Sequence, residues 1–543
     1  MVGIIAYLEN NAVLNYNNTG TLTTSSEPML YIVDSKAQMN NNDIIVSSKG
    51  TGIYMTGTSS FGGWNNMTLN NGSTGIYVDN SNATIDGKKI TGTSDKAKGI
   101  VSINSNVTNK ADMKFSSDDS IGIFSQNKSG VAKSILNSGN IDITGKRSIA
   151  AYLEGTSDQT FENSGTINVD KTATAVKNDS TVGIYAQNGS AINIKNSGTI
   201  NVGEASFGVY SLSENGNVET TGSSVINVAD KAIGVYKKGG NVNLGGTINV
   251  ANHIATDANS EPVGVYGTSG VSINDTTSSF TVGDKSYGVI LANPGMSRTN
   301  VYSNSASSNV TLGKESTFIY TEGVSSVTNN ATITSGTNEK IIAIYGKDGA
   351  NIVNNGIIDL SQGIGNQGIL VTGASNAVNR GTIKIGKTDK SDPNNIVYGI
   401  GMAGVGGANI SNERDIYVSG HLSIGMYGDD RGTTLRNSGN IYLDASSATT
   451  SDKIQTMMGV FVNNGAKFVN TGNITTTGSY RGNDNVQGIV GVAVLNGSTL
   501  ENYGTINIDA DNSYGVLIKG TANNKSIIKN YGEININGYK TYG

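Results

Sequence analysis

His253, His421, the doublet Asp118-Asp119 and the triplet Asp429-Asp430-Arg431 are the side chains with the widest chemical repertoire in this chain. A hydrolase that pairs Ser with His presents the serine in a turn such as Gly-x-Ser-x-Gly, and that phrase does not occur. Cys is absent, which removes thiol nucleophiles, disulfides and thiolate metal ligands together. Polysaccharide lyases and hydrolases built on solenoids need carboxylates gathered from adjacent repeats, alone or with Ca²⁺ and a basic residue. Asp429-Asp430-Arg431 is the sharpest candidate. With Gly401 and Tyr427 taken as equivalent, its neighbours one repeat away are Ala403-Gly404 and Asn463-Asn464, so no carboxylate is expected above or below it. Asp118-Asp119 is expected in a solvated turn without a basic neighbour. The two histidines fall six repeats apart and cannot share a site. Gly-rich phrases lead into no helix, so no phosphate cradle is expected. The expectation is a protein that is not an enzyme, with no catalytic residue, metal or cofactor.

What would have to position any such residue is a repeat. Gly-Ile-Tyr or Gly-Val-Tyr begins at Gly52, Gly75, Gly183, Gly208, Gly234 and Gly264, with relatives such as Gly122-Ile123-Phe124 and Gly459-Val460-Phe461. Anchoring on the third position gives twenty units from Tyr7 to Leu517, about 27 residues apart. A second phrase follows in most units, as in Asn163-Ser164-Gly165-Thr166-Ile167-Asn168-Val169 and Asn502-Tyr503-Gly504-Thr505-Ile506-Asn507-Ile508. Apolar residues pair off at period two, as at Ile184/Ala186, Ile192/Ile194 and Ile200/Val202, which is strand periodicity. Each unit therefore reads as three short strands separated by Asn/Gly turns, each strand stacking in parallel on its copy one turn on. The fold class is all-β, a parallel β-helix of about 20 coils, forming a monomeric rod of roughly 95 Å at about 4.8 Å per coil.

Strand alternation places the aliphatic column Ile53, Ile76, Ile184, Val209, Val235, Val265, Ile344 and Val460 inside. It places the flanking Gly and Tyr outside, with each ring over the preceding glycine. That Tyr stripe is either a binding platform or sheet packing. The turn asparagines are expected to satisfy one another from coil to coil.

The phrases Asn-Ser-Gly-Thr-Ile-Asn-Val and Gly-Ile-Tyr-Ala-Gln-Asn-Gly-Ser resemble the passenger regions of large type V autotransporters, above all the fusobacterial outer-membrane adhesins. The likeness covers essentially the whole chain and rests on repeat phrases. It implies a right-handed β-helical stalk, extracellular, anchored through an outer-membrane β-barrel and used in adhesion to host cells or other bacteria. On this resemblance residues 1–543 are a single internal passenger segment, without the family's signal peptide or C-terminal barrel. The partner is expected to be a host-cell or bacterial surface protein or glycan. The alternative function is a β-helical polysaccharide lyase, hydrolase or tailspike-like glycan-processing protein.

Charge excludes another class. Net charge near −5, pI near 5.3 and no Lys/Arg cluster argue against nucleic acid. No apolar run approaches the ~18 residues of a membrane helix. Specific binding is expected where the repeat is interrupted, since insertions gather on one face of a solenoid. Five insertions share one corner of the coil: Asp170–Thr181, Ala251–Pro262, Gly386–Val397, Asp444–Thr456 and Thr475–Gln487. Two of them carry an expected exposed binding ridge, Lys387, Asp389, Lys390 and Asp392 in one and Tyr480, Arg481, Asn483 and Asp484 in the other.

Overall fold

A computed structural model describes all residues except 1–4, 25, 171–179, 188, 255–259, 294, 296, 448–456 and 482–487. The chain divides into two compact units, Met1–Ser278 and Ser279–Gly543, and within each the construction is a right-handed parallel β-helix. A typical coil of the first unit contributes Val182–Ala186, Ile192–Asn196 and Thr199–Val202. These pair in parallel with Phe207–Ser211, Asn217–Thr220 and Val225–Val228 of the next coil, placing Ile184 on Val209, Tyr185 on Tyr210 and Ile200 on Ile226. In the second unit, Ile424–Asp429 stacks on Met458–Val462 with Tyr427 on Phe461. Among the described residues the one helical element is the 3-10 turn Ala445–Ser447.

The aliphatic column lies inside as the alternation requires: Ile53, Ile76, Ile184, Val209, Val235, Val265, Ile344 and Val460 are all fully buried. Burying a side chain of this size contributes about 1.5–3 kcal/mol, and each coil holds several. The strands are kept short by the turns at the corners, several of which hold a residue at positive φ, as at Asn104, Lys231 and Asn464.

The glycine of each Gly-Ile-Tyr phrase is not outside, and here the structure corrects the alternation. In Phe207–Ser211 both Gly208 and Val209 are buried, between half-buried Phe207 and Tyr210. The strand bends at the glycine, so two consecutive residues face inward. A Cβ on Gly234 would lie 2.5 Å from the carbonyl oxygen of Gly264 and 2.8 Å from Val228 Cγ2. One on Gly425 would lie 2.6 Å from Gly459 O and 2.8 Å from Ile441 Cγ2. At these two positions backbone and core close over the glycine, and the tyrosine does not cover it; in other coils the same buried place is taken by Ala150, Phe318 and Ala343. The anchor between Leu370 and Tyr427 is likewise Ala403, with Gly401 taking the bend position.

The tyrosines stack on one another instead. Phe124, Tyr152, Tyr185, Tyr210, Tyr236 and Tyr266 form a continuous row with centroid separations of 5.5, 5.0, 5.7, 4.6 and 5.4 Å and nearly parallel planes. Burial raises the Tyr152 hydroxyl to about 12, with the Glu154 carboxylate adding to the shift.

The asparagine expectation is borne out. In the first unit Asn109 Nδ2 donates to Asn137 Oδ1, Asn137 to Asn163, and Asn163 to Asn196, at 2.8, 2.8 and 2.9 Å. The row ends with Asn196 donating to Ser224 Oγ. In the second unit one row runs through Asn304, Asn329, Asn354, Asn379, Asn412, Asn437, Asn470, Asn502 and Asn530 at 2.7–2.9 Å.

Candidate functional site

The insertions all leave from the corner between the third strand of one coil and the first of the next, as the strand boundaries at Val169/Val182, Val250/Val263, Ile385/Ile400, Asp444/Met458 and Thr477/Val490 show. Residues 386–399, in the second unit, form the best-defined projection. Asp389 N donates to Val397 O at 2.8 Å and Val397 N returns a bond to Asp389 O at 3.1 Å, closing an antiparallel hairpin arm. The Asp392 carboxylate accepts from Asn394 N at 2.9 Å, and its carbonyl accepts from Asn395 N at 3.1 Å, which folds the tip. The base is tied to the following coil, with Thr388 N donating to His421 O at 3.2 Å and Thr388 Oγ1 to Leu422 O at 2.9 Å.

The expected ridge residues divide. Lys387 and Asp392 are exposed and Lys390 is half-buried. Asp389 is not exposed, a correction to the expectation: its carboxylate faces inward, accepts from Ser391 N at 2.8 Å and pairs with Lys340 Nζ at 3.1 Å. Those Ser391 bonds first, and the Lys340 ammonium after them, hold the acid down to about 2. Tyr480 is the second correction, being buried at 7% exposure, with burial raising its hydroxyl. Its carbonyl accepts from Asp511 N at 2.9 Å, so Tyr480 lies along the next coil. Arg481 is exposed but grips Asp509 Oδ1 at 2.5 Å. Asn483 and Asp484 lie outside the described residues.

Lys340, Ile396 and Tyr398 were not among the expected residues. Lys340 sits 49 positions before its partner and carries no local signal. Ile396 and Tyr398 are 37% and 39% exposed on the arm itself. Beneath the arm, on the outward side of the first strands, Ile400, Ala403 and Ile424 are buried against Leu370, Tyr427, Met458 and Phe461, a second apolar cluster outside the core. The single-column reading of an inside and an outside hid it.

The chemical candidates are absorbed by structure. Aligning Ala403 with Tyr427 puts Val405 opposite Asp429, a two-residue correction to the expected register. Asp429 accepts from Tyr427 Oη at 2.7 Å and from Asn464 Nδ2 at 2.8 Å, so its oxygens serve as anchors. Burial raises the Tyr427 hydroxyl, and the Asp429 carboxylate that it bonds adds to the shift. Asp118-Asp119 does have a basic neighbour, one coil on: Arg147 forks onto Asp119 at 2.7 and 3.1 Å. His253 Nδ1 lies 2.7 Å from Asp230 Oδ1 in the first unit, and His421 is in the second. Gly381 to Thr388 spells the pattern Gly-x-x-x-x-Gly-Lys-Thr, yet Thr382–Ile385 is a strand and Thr388 Oγ1 is turned onto Leu422 O. A phosphate loop opens a helix, and this segment opens the arm. Among the described residues no three His, Asp or Glu side chains converge to hold a metal ion.

The arm and the second apolar cluster lie in one stretch, and that stretch has a relative. Residues 360–472 match the family model for the third pectate lyase-like domain of BigA. No curated protein and no solved structure matches the chain. The similarity covers about a fifth of the sequence, and it agrees with the parallel β-helix found in both units.

Proposed function

We propose that the chain is a non-catalytic adhesive scaffold displayed on a bacterial surface, as type V autotransporter passengers are, and that the 386–399 arm engages a host-cell or bacterial partner. The observation that carries this reading is the arm's construction. Two main-chain bonds close it, the tip is folded by Asp392, and the base is pinned by the Lys340–Asp389 pair, while residues 391–396 stand exposed. Holding a projecting segment in one conformation reduces the ordering cost of binding. Tyr398 then supplies an aromatic contact of the kind found at interface centres, with Ile396 adding apolar surface and Lys387 a charge at the margin.

The stacked tyrosines support the same reading by subtraction. A sugar platform lays an aromatic face open to the ligand, whereas these rings spend their faces on one another. The BigA match keeps glycan processing as the competing function, and one experiment separates the two. Replacing Gly386–Val397 by a short turn is expected to abolish adhesion to host or bacterial cells with β-sheet circular dichroism unchanged. A glycan array read alongside a reducing-end assay is expected to give no turnover. Full adhesion by the trimmed protein, or turnover by the intact one, would reject the proposal.

A further inference from the structure

The first unit holds a lysine where its fold has no place for one. Lys237 occupies the inward position after the Tyr236 anchor, stacked on Ser211 below and Gly267 above, and is fully buried. Its Nζ donates to Ser213 O at 2.5 Å and to Lys238 O at 3.3 Å. Among the described residues no carboxylate hydrogen-bonds to it, and Glu214, whose charge reaches it, pairs with Lys238 at 2.7 Å. Gly267 and Thr268 of the coil above add no charge, and the Ser211 hydroxyl below has no protein partner.

The same coils lose the amide row. The position that closes the second strand is Asn in four successive coils, Asn109, Asn137, Asn163 and Asn196, and is then Thr220, stacked on Asn196, followed by Leu244. Thr220 turns its hydroxyl onto Gly245 O at 2.9 Å, and Leu244 can donate nothing. Two defects of different chemistry, a buried amine and a broken hydrogen-bond row, therefore coincide between Phe207 and Val250.

We propose that residues 207–250 are a built-in opening point of the first unit, releasing before the coils below them and tightening as Lys237 gives up its proton. In a solenoid each coil is held only by its neighbours, so local defects produce local opening. Burial lowers the amine from its ordinary 10.5 to about 8, against the smaller opposing pull of Glu214. The sign follows from linkage. The open state binds the proton more tightly, so the opening constant is highest below about pH 8 and falls about tenfold per pH unit up to about 10.5.

Because the chain has no Cys, single thiols can report opening. Ala232→Cys places one among the defects, and Ala151→Cys places one in the intact coils; both alanines are fully buried. Labelling rates, corrected for thiol reactivity at each pH, are expected to be at least tenfold faster at position 232 at pH 7.5. That opening constant should fall about 20-fold at pH 9.5. Lys237→Met in the Ala232→Cys background should slow labelling and abolish the pH dependence. Thr220→Asn, which offers Asn196 an amide again, should slow labelling at every pH and leave the pH dependence intact. Equal labelling at the two positions, or pH dependence surviving Lys237→Met, would overturn the proposal.

Discussion

Replacing Asn379 with Ala tests whether the amide row of the second unit bears load. Asn379 is fully buried, receives Asn354 Nδ2 on its Oδ1 at 2.8 Å and donates its own Nδ2 to Asn412 Oδ1 at 2.8 Å. Truncation removes both bonds, each about 1 kcal/mol net, together with the longer contacts of 3.2–3.3 Å to Gly381 O, Gly381 N and Asp415 O. It also strands Asn412 Oδ1 and leaves Asn354 Nδ2 with only the longer bond to Gly356 O at 3.3 Å. Each group left short of a partner in the interior costs about 1–2 kcal/mol. The sum is about 4–6 kcal/mol, concentrated in the coils around residues 350–418. Native-state hydrogen exchange is the suitable assay, because a repeat array need not unfold in one step. Amides of Asn351–Asn354 and Asn409–Asn412 should lose most of that protection, and those near Asn502 little. A loss below about 1 kcal/mol, or one spread evenly over the unit, would refute the view that the row is a dry, mutually dependent chain.

Gly425→Ala should destabilise its coil by about 1–3 kcal/mol, read by the same exchange measurement, because the new methyl meets the Gly459 carbonyl and cannot rotate away. Asp389→Ala should leave the β-helix intact but expose residues 390–396 to limited proteolysis, since the inner pin of the arm is lost. The same release is expected on acidification. The acid's folded value lies near 2, below its ordinary 3.8, so its contribution is complete above the ordinary value and lost as pH falls through about 2. Arm cleavage that is unchanged between pH 5 and pH 2 with an acid-active protease would contradict it. Val235→Asp buries an unpaired charge among Val209 and Val265 at a cost of several kcal/mol. The emission of Trp64, buried and stacked on Phe61 at 4.7 Å in an early coil, should stay native in that variant.

Most of the architecture was legible because a solenoid repeats its instructions. Strand period, turn residues and coil length are each stated many times over, so the interior column from Ile53 to Val460 could be read from spacing alone. Gly208 and its equivalents were misread because alternation assumes a straight strand, and what decides their side is a carbonyl one coil away. The same holds for Asp389. Its sequence surroundings are those of an exposed loop, and only the return of the chain past Lys340 makes it an internal pin. Ala403 was displaced by two positions since a one-residue pattern cannot tell the bend glycine from the anchor when the anchor is not aromatic. Features that recur from coil to coil, the asparagine rows included, are visible in sequence, and features set by one particular contact between coils are not.

The amide rows have a direction, and direction limits chemical ageing. In the inner row of the second unit every Nδ2 points to the higher-numbered coil. In the outer row of the first unit the sense is reversed: Asn249 donates to Asn227, Asn227 to Asn201, Asn201 to Asn168, and Asn168 to the carboxylate of Asp142. A second outer row, from Asn473 through Asn440, likewise finishes on Asp415. A carboxylate accepts and never donates, so it fits only where a row ends by receiving. Hydrolysis of an asparagine amide makes that same change, Asn to Asp. At Asn168 it would set a second carboxylate against Asp142. At Asn354 or Asn379 it would take away the donor that the next coil depends on and leave a charge in the core. The chain therefore ages unevenly: an amide of the inner rows is the one whose hydrolysis costs the fold most, and exclusion of water is what protects it.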